Sequence, residues 1–105
     1  MPIVYTTGSW RPFAGQEHDF VERWKEFAAW ASGYPGSGRC TLAHDVRDPG
    51  RYVSFIEWES MEAMRAWKAD EGFKPRKGEV QQHIDKFAPT EIEEVASARE
   101  GTVSP

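Results

Sequence analysis

Few side chains in this sequence can do chemistry unaided. Three histidines, His18, His44 and His83, are able to exchange a proton near neutral pH. Glu57 lies in an apolar strand, on a face it would share with Leu42 and Phe55. A carboxylate there costs energy unless paired, so it belongs at the sheet margin or in a polar pocket that raises its pKa. Aromatic residues make up 13% of the 105 positions and include five tryptophans, which is heavy for this length. Tryptophan gathers at ligand clefts and partner surfaces where one ring edge stays polar, and it serves equally as filler for a small core. No metal-ligand spacing, nucleophile elbow or phosphate-cradling glycine motif is present. The glycine-rich stretch GYPGSG follows a helical pattern and precedes a strand, the reverse of a phosphate loop.

The bulk numbers exclude several classes. With a formal net charge of −4 and no basic stripe, the chain lacks the clustered Lys and Arg that nucleic-acid binding needs. The opening residues MPIVYTTGSW have neither the charged region nor the apolar run of a signal peptide, and no stretch could span a bilayer. Cys40 is the single cysteine, so it forms no internal disulfide and reads as a small buried hydrophobe. These features predict a soluble cytoplasmic protein with no nucleic-acid or membrane partner.

The elements that must position these groups follow from periodicity. Ile3 to Trp10 reads as a first strand, stopped by Arg11-Pro12. A helix follows from about Gln16 to Ser32, with Phe20, Trp24, Phe27, Ala28 and Ala31 on one face and Glu17 and Asp19 at its positive end. Arg39 to Val46 is a second strand, and Asp48-Pro49-Gly50 a turn. Symmetric closure of that turn sets His44 opposite Phe55 and Leu42 opposite Glu57. Arg51 to Glu59 is a third strand, and Ser60 caps a short helix over Met61 to Asp70, where Met61, Met64 and Trp67 form a stripe. Gly72 breaks it, and a second helical piece runs from Phe73 to Lys86, ended by Ala88-Pro89. Glu91 to Ala98 reads as an acidic edge strand. Residues 1–98 form one domain, and 99–105 have the composition of a tail.

This order is α+β: a ferredoxin-like βαββαβ unit with a split second helix, both helices on one face of a four-stranded antiparallel sheet. The third strand is apolar on both sides. Val53 and Phe55 are assigned to the helix-covered side, and Tyr52, Ile56 and Trp58 to the bare side. A bare apolar side predicts a homodimer packed sheet against sheet, with Tyr52, Ile56 and Trp58 at the seam.

With YVSFIEWES, MEAMRAW and KADEGFK in that element order, the chain resembles the antibiotic biosynthesis monooxygenase family of dimeric α+β barrels. Trp58, Ser60, Trp67 and Phe73 carry the resemblance. It implies a barrel closed by the partner subunit and a pocket between helices and sheet. The family's members include cofactor-independent oxygenases of polycyclic phenols and haem-degrading monooxygenases. The haem degraders use a first-strand asparagine, a tryptophan on the short helix and an iron-ligating histidine. Trp67 matches the tryptophan, but the histidine position falls on Lys77, whose protonated amine has no lone pair for iron. The chain contains no asparagine; Thr6, Thr7 and Gly8 stand in that region, and His83 lies six residues beyond Lys77. Haem therefore remains the lesser alternative.

For the cofactor-free branch, the resemblance implies an electron-rich substrate that itself reduces oxygen in a dry aromatic pocket. Trp67 and Phe73 would wall the pocket, with Phe55 and Glu57 contributing. Arg76 would pair with a phenolate, and His44 or His83 would take a proton. Each has a plainer role: Trp67 as core, His44 as a hydrogen-bonded core residue, and His83, His18 and Arg76 as solvated surface groups. A third reading is a non-enzymatic binding module of the same fold, since fold alone does not select function.

Overall fold

The computed structural model of the protein describes residues 2–99 and 102–104. Its order is β1 (Val4–Pro12), α1 (Glu17–Ser32), β2 (Ser37–His44), β3 (Tyr52–Trp58), α2 (Met61–Ala69), α3 (Phe73–Gln81) and β4 (Ile84–Glu93), followed by β5 (Ser97–Arg99) and β6 (Thr102–Ser104). The main sheet runs β2-β3-β1-β4, all antiparallel, which is the ferredoxin-like order. The three helices lie over one face.

Alternation in β1 is complete: Val4, Thr6, Gly8, Trp10 and Pro12 are buried, while Tyr5, Thr7, Ser9 and Arg11 are half-buried. Register carries the same parity across the sheet, pairing Val4 with Trp58, Thr6 with Ile56 and Gly8 with Ser54. The inward face of β3 is therefore Ser54, Ile56 and Trp58, the last two 4% and 0% exposed. This reverses the expected assignment. Ile56 and Trp58 pack under the helices and Tyr52 lies edge-on to Phe20, so none of the three stands at an outer seam. Val53, Phe55 and Glu57 point outward instead. Both faces of β3 are apolar, so alternation shows that two faces exist but not which one the helices cover.

Helix α1 buries Phe20, Trp24, Phe27, Ala28 and Ala31, the face expected from its spacing. Ser60 caps α2 by accepting from the Ala63 amide at 3.0 Å, which orients Met64 and Trp67 inward. The tip before β2 turns at Gly36, whose φ is +87°. An added Cβ there would sit 2.6 Å from that of Ala63, so glycine lets the loop lie on α2.

Two boundaries differ from the expected ones. Helix α3 stops at Gln81, and β4 begins at Ile84, in a stretch whose pattern suited a helix. Pairing along β1 satisfies that backbone, and Phe87 stacks on Trp10 at 4.1 Å, so tertiary contacts override weak helical periodicity. Pro89 is tolerated because β4 is an edge strand. The second difference is in the hairpin. Strand β2 ends at His44, which pairs with Tyr52, while Thr41 and Leu42 pair with Phe55 and Ser54. Asp45 accepts from the Arg47 and Asp48 amides and from Arg51, which widens the loop beyond a symmetric turn. At the other end, Ser97–Arg99 pairs with Thr102–Ser104, a short hairpin that begins before the expected tail; Glu100, Gly101 and Pro105 of that tail lie outside the described residues.

Candidate active site

The middle of the inward sheet face is built from small residues, and that is why a cleft opens there. Thr6, Gly8 and Ser54 form its floor between the bulky pairs at either end. Gly8 has no room for a side chain. A Cβ would stand 2.7 Å from Trp10 Nε1, 2.9 Å from the Phe87 ring and 3.0 Å from Ser54 Oγ. The indole of Trp10 is held over this floor by donating to Ser54 Oγ at 2.9 Å. Trp24 and Phe27 of α1, Trp67 of α2, Phe73 of α3 and Phe87 of β4 supply the walls. The cleft is narrow, with a cavity volume of about 60 Å³.

Trp67 is the centre of the aromatic cluster. Its ring lies 4.7 Å from Phe73, 4.8 Å from Trp58, 5.5 Å from Phe27 and 5.9 Å from Trp30. Such tilted and edge-on pairs each add roughly 0.5–1.5 kcal/mol beyond area burial. The cluster is a rigid wall. Trp58 donates to Thr6 Oγ1 at 3.3 Å, whereas Trp67 Nε1 is buried without an acceptor among the described residues. An unpaired buried donor of this kind is unusual.

Among the described residues, no carboxylate and no imidazole lines the cleft; its charged groups are Lys68 and Lys77. Lys68 is ion-paired with Glu91 across the mouth. Lys77 Nζ lies 5.6 Å from the centres of both Phe73 and Phe87.

Of the expected site residues, the structure brings Trp67 and Phe73 to the cleft and sets the others elsewhere. Phe55 and Glu57 project from the opposite side of the sheet, Phe55 being 38% exposed. His44 is exposed at the end of β2, stacked on Tyr52 at 4.5 Å and bonded to the Pro49 carbonyl, so it is not a core histidine either. His83 sits half-buried at the α3–β4 junction, its Nδ1 3.0 Å from Gln16 Oε1. Neither can reach a ligand in the cleft. His18 is exposed on the first turn of α1. Arg76 lies over the Trp30 ring at 4.6 Å and lines a separate groove with Arg23, Glu26 and Glu79. Thr6, Thr7 and Gly8, the residues standing where the haem degraders place their asparagine, line the cleft, whereas Trp10, Ser54 and Phe87 were not expected there. The signal for Phe87 was its alternation with Lys86 and Ala88, hidden by the helical reading of that stretch. Cys40 is half-buried, its thiol pushed up by burial and then by the Glu57 charge.

Haem does not fit this wall. Among the described lining residues there is no histidine, cysteine, methionine or tyrosine to bind iron axially, and Lys77 is held between two rings. No group of His, Cys, Asp or Glu able to hold a metal ion occurs among the described residues, and no helix there is long and apolar enough to cross a membrane.

A ferredoxin-like sheet with helices on one side and an aromatic cleft between the layers defines a class of small α+β ligand-binding domains and enzymes. Within it, residues 3–76 match the antibiotic biosynthesis monooxygenase family model, and the chain belongs to that family. Solved structures agree on the fold. SnoaB, a cofactor-independent oxygenase from Streptomyces nogalater, is 21% identical with a TM-score of 0.78, over 95% of this chain and 96% of its own. A candidate antibiotic biosynthesis monooxygenase from Deinococcus radiodurans is 15% identical at a TM-score of 0.80, over 91% and 96%. A conserved protein from Methanosarcina mazei is 12% identical at 0.79, over 88% and 92%. Among curated proteins, none matches the sequence.

Proposed function

We propose that this protein is a small homodimeric monooxygenase that oxidises a planar aromatic or quinone-like molecule with oxygen, without a bound cofactor. The cleft beside Trp67 carries the reading. Its walls are aromatic rings on which a flat substrate would stack, and its polar groups are hydroxyls and ammoniums, with no base of the carboxylate or imidazole type among the described lining residues. Such a site orients a substrate and excludes water while the substrate supplies the electrons. An activated ring methylene gives up two hydrogens and becomes a carbonyl with one atom of O₂; the other atom leaves as water. The fold shared with SnoaB, a cofactor-independent oxygenase, supports the assignment.

The second copy belongs on the outer face of the sheet. Phe55 and Ile92 stand there 38% and 46% exposed; half-buried Tyr5 pairs directly with Ile92 and lies diagonal to Phe55 across β1 and β3. A contiguous apolar strip of this kind marks an interface, and self-pairing about a two-fold axis covers it on both chains.

Oxygen uptake with a panel of anthrones and hydroquinones tests the activity. Protein-dependent uptake is expected with at least one, falling by about 10–100-fold in Trp67→Ala as the substrate loses its wall. No protein-dependent uptake across the panel would overturn the assignment.

A further inference from the structure

We propose that Lys77 is the anion-binding residue of the cleft, so that the protein selects an aromatic ligand bearing an ionised oxygen, above all a phenolate. The inference rests on the cleft being the substrate site and adds the charge state in which the substrate is held. Placement is the first observation. Lys77 follows Phe73 by one helical turn on α3, and its ammonium lies 5.6 Å from both the Phe73 and Phe87 rings that wall the cleft. Attraction to the two ring faces holds the cation at the rim of an apolar space. Neighbouring Arg76 is turned about 100° away by the helix and packs on Trp30.

Charge balance is the second observation. Arg11, Arg23, Lys25, Arg51 and Lys68 each lie within ion-pair distance of a carboxylate. Lys77 has no such partner among the described residues, nor do its neighbours Lys74, Arg76 and Lys86. Of these four only Lys77 lines the cleft, where no carboxylate lies among the described lining residues. In a chain of net charge −4, the Lys77 ammonium is the one uncompensated charge among the described lining residues, Lys68 being paired with Glu91.

The chemistry follows. Beside aromatic walls an ammonium–oxyanion contact is only partly screened, so it is stronger than on the open surface. A phenol bound there ionises more readily, its proton passing to water at the mouth and its oxygen taking the hydrogen bond from Nζ. The ring then rests between Trp67 and Phe73. Ionisation makes the ring electron-rich without a carboxylate or imidazole base, the groups missing from the walls.

Titration of intrinsic fluorescence with 2-naphthoate and its neutral isostere 2-naphthamide tests this without any oxygen chemistry. The wild-type protein should prefer the anion by at least about 10-fold, the scale of a hydrogen bond to a charged group. Lys77→Met should abolish that ratio, Lys77→Arg should keep most of it, and Lys74→Met, one charge removed from the same helix outside the cleft, should leave it unchanged. Equal binding of both probes to the wild type, or an unchanged ratio in Lys77→Met, overturns the proposal while the cleft stands as a binding site. Binding of neither probe, or binding unaffected by Trp67→Ala, removes the cleft reading and this proposal with it.

Discussion

The rings of Trp58 and Trp67 lie 4.8 Å apart, tilted by 36°, yet of the two only Trp58 has an acceptor for its indole N–H among the described residues. The difference is measurable. Replacing either by Phe removes similar volume, but Trp58→Phe also strips Thr6 of its donor, whereas Trp67→Phe removes a buried N–H already unsatisfied. Trp58→Phe should therefore cost about 1–2 kcal/mol more in urea unfolding than Trp67→Phe. Equal costs would show that Trp67 Nε1 is satisfied in solution. Side-chain type alone did not separate these two residues, nor Lys77 from Arg76. Each pair has the same chemistry, and they part only by where their elements aim them. The histidines make the same point: all three were candidates by residue type, and none lines the cleft.

Elements whose pattern is local were legible. The α1 face and the Ser60 cap of α2 follow from spacing and one hydroxyl. Strand β4 was not, because its start depends on pairing with β1 and on Phe87 meeting Trp10. The β2–β3 loop is intermediate: its turn residues were readable, its register was not. Asp48 there is held below the ordinary carboxylate range chiefly by its hydrogen bond from Arg11, and Asp45 chiefly by the Arg47 amide and then Arg51. A carboxyl depressed in the fold adds stability above its ordinary pKa of about 3.9, and that stability is lost as pH falls through the folded value. Stability should thus decline below about pH 4 in the wild type, and Asp48→Asn should flatten part of that acid limb. Parallel acid limbs, followed by circular dichroism, would refute a role for this pair. Because both groups are only half-buried, the effect should be small and weaken with salt.

For the whole molecule, the outward residues Val53, Phe55, Tyr5 and Ile92 are the face proposed above to meet a second copy. Light scattering at micromolar concentration should give the mass of a dimer, and Phe55→Asp should yield a folded monomer. A wild-type monomer, or a dimer unmoved by that substitution, would locate the partner elsewhere. The substitution has to fall at Phe55 and not Ile56, since Ile56 belongs to the core. By itself the sequence determined the element order through β4, the α1 face, the Ser60 cap of α2 with Met64 and Trp67 inward (Met61, expected in the same stripe, is exposed), the two-sided third strand and membership of the family. These depend on residues close in the chain, where periodicity and caps act directly. Only the tertiary structure decided which side of β3 the helices cover, where β4 begins, and that Trp67, Phe73, Lys77 and Phe87 share one cleft while His44 and His83 do not. Such choices turn on contacts between distant segments. A strand apolar on both sides satisfies either packing until the small floor of Thr6, Gly8 and Ser54 admits the bulky rings of the helices on one side alone.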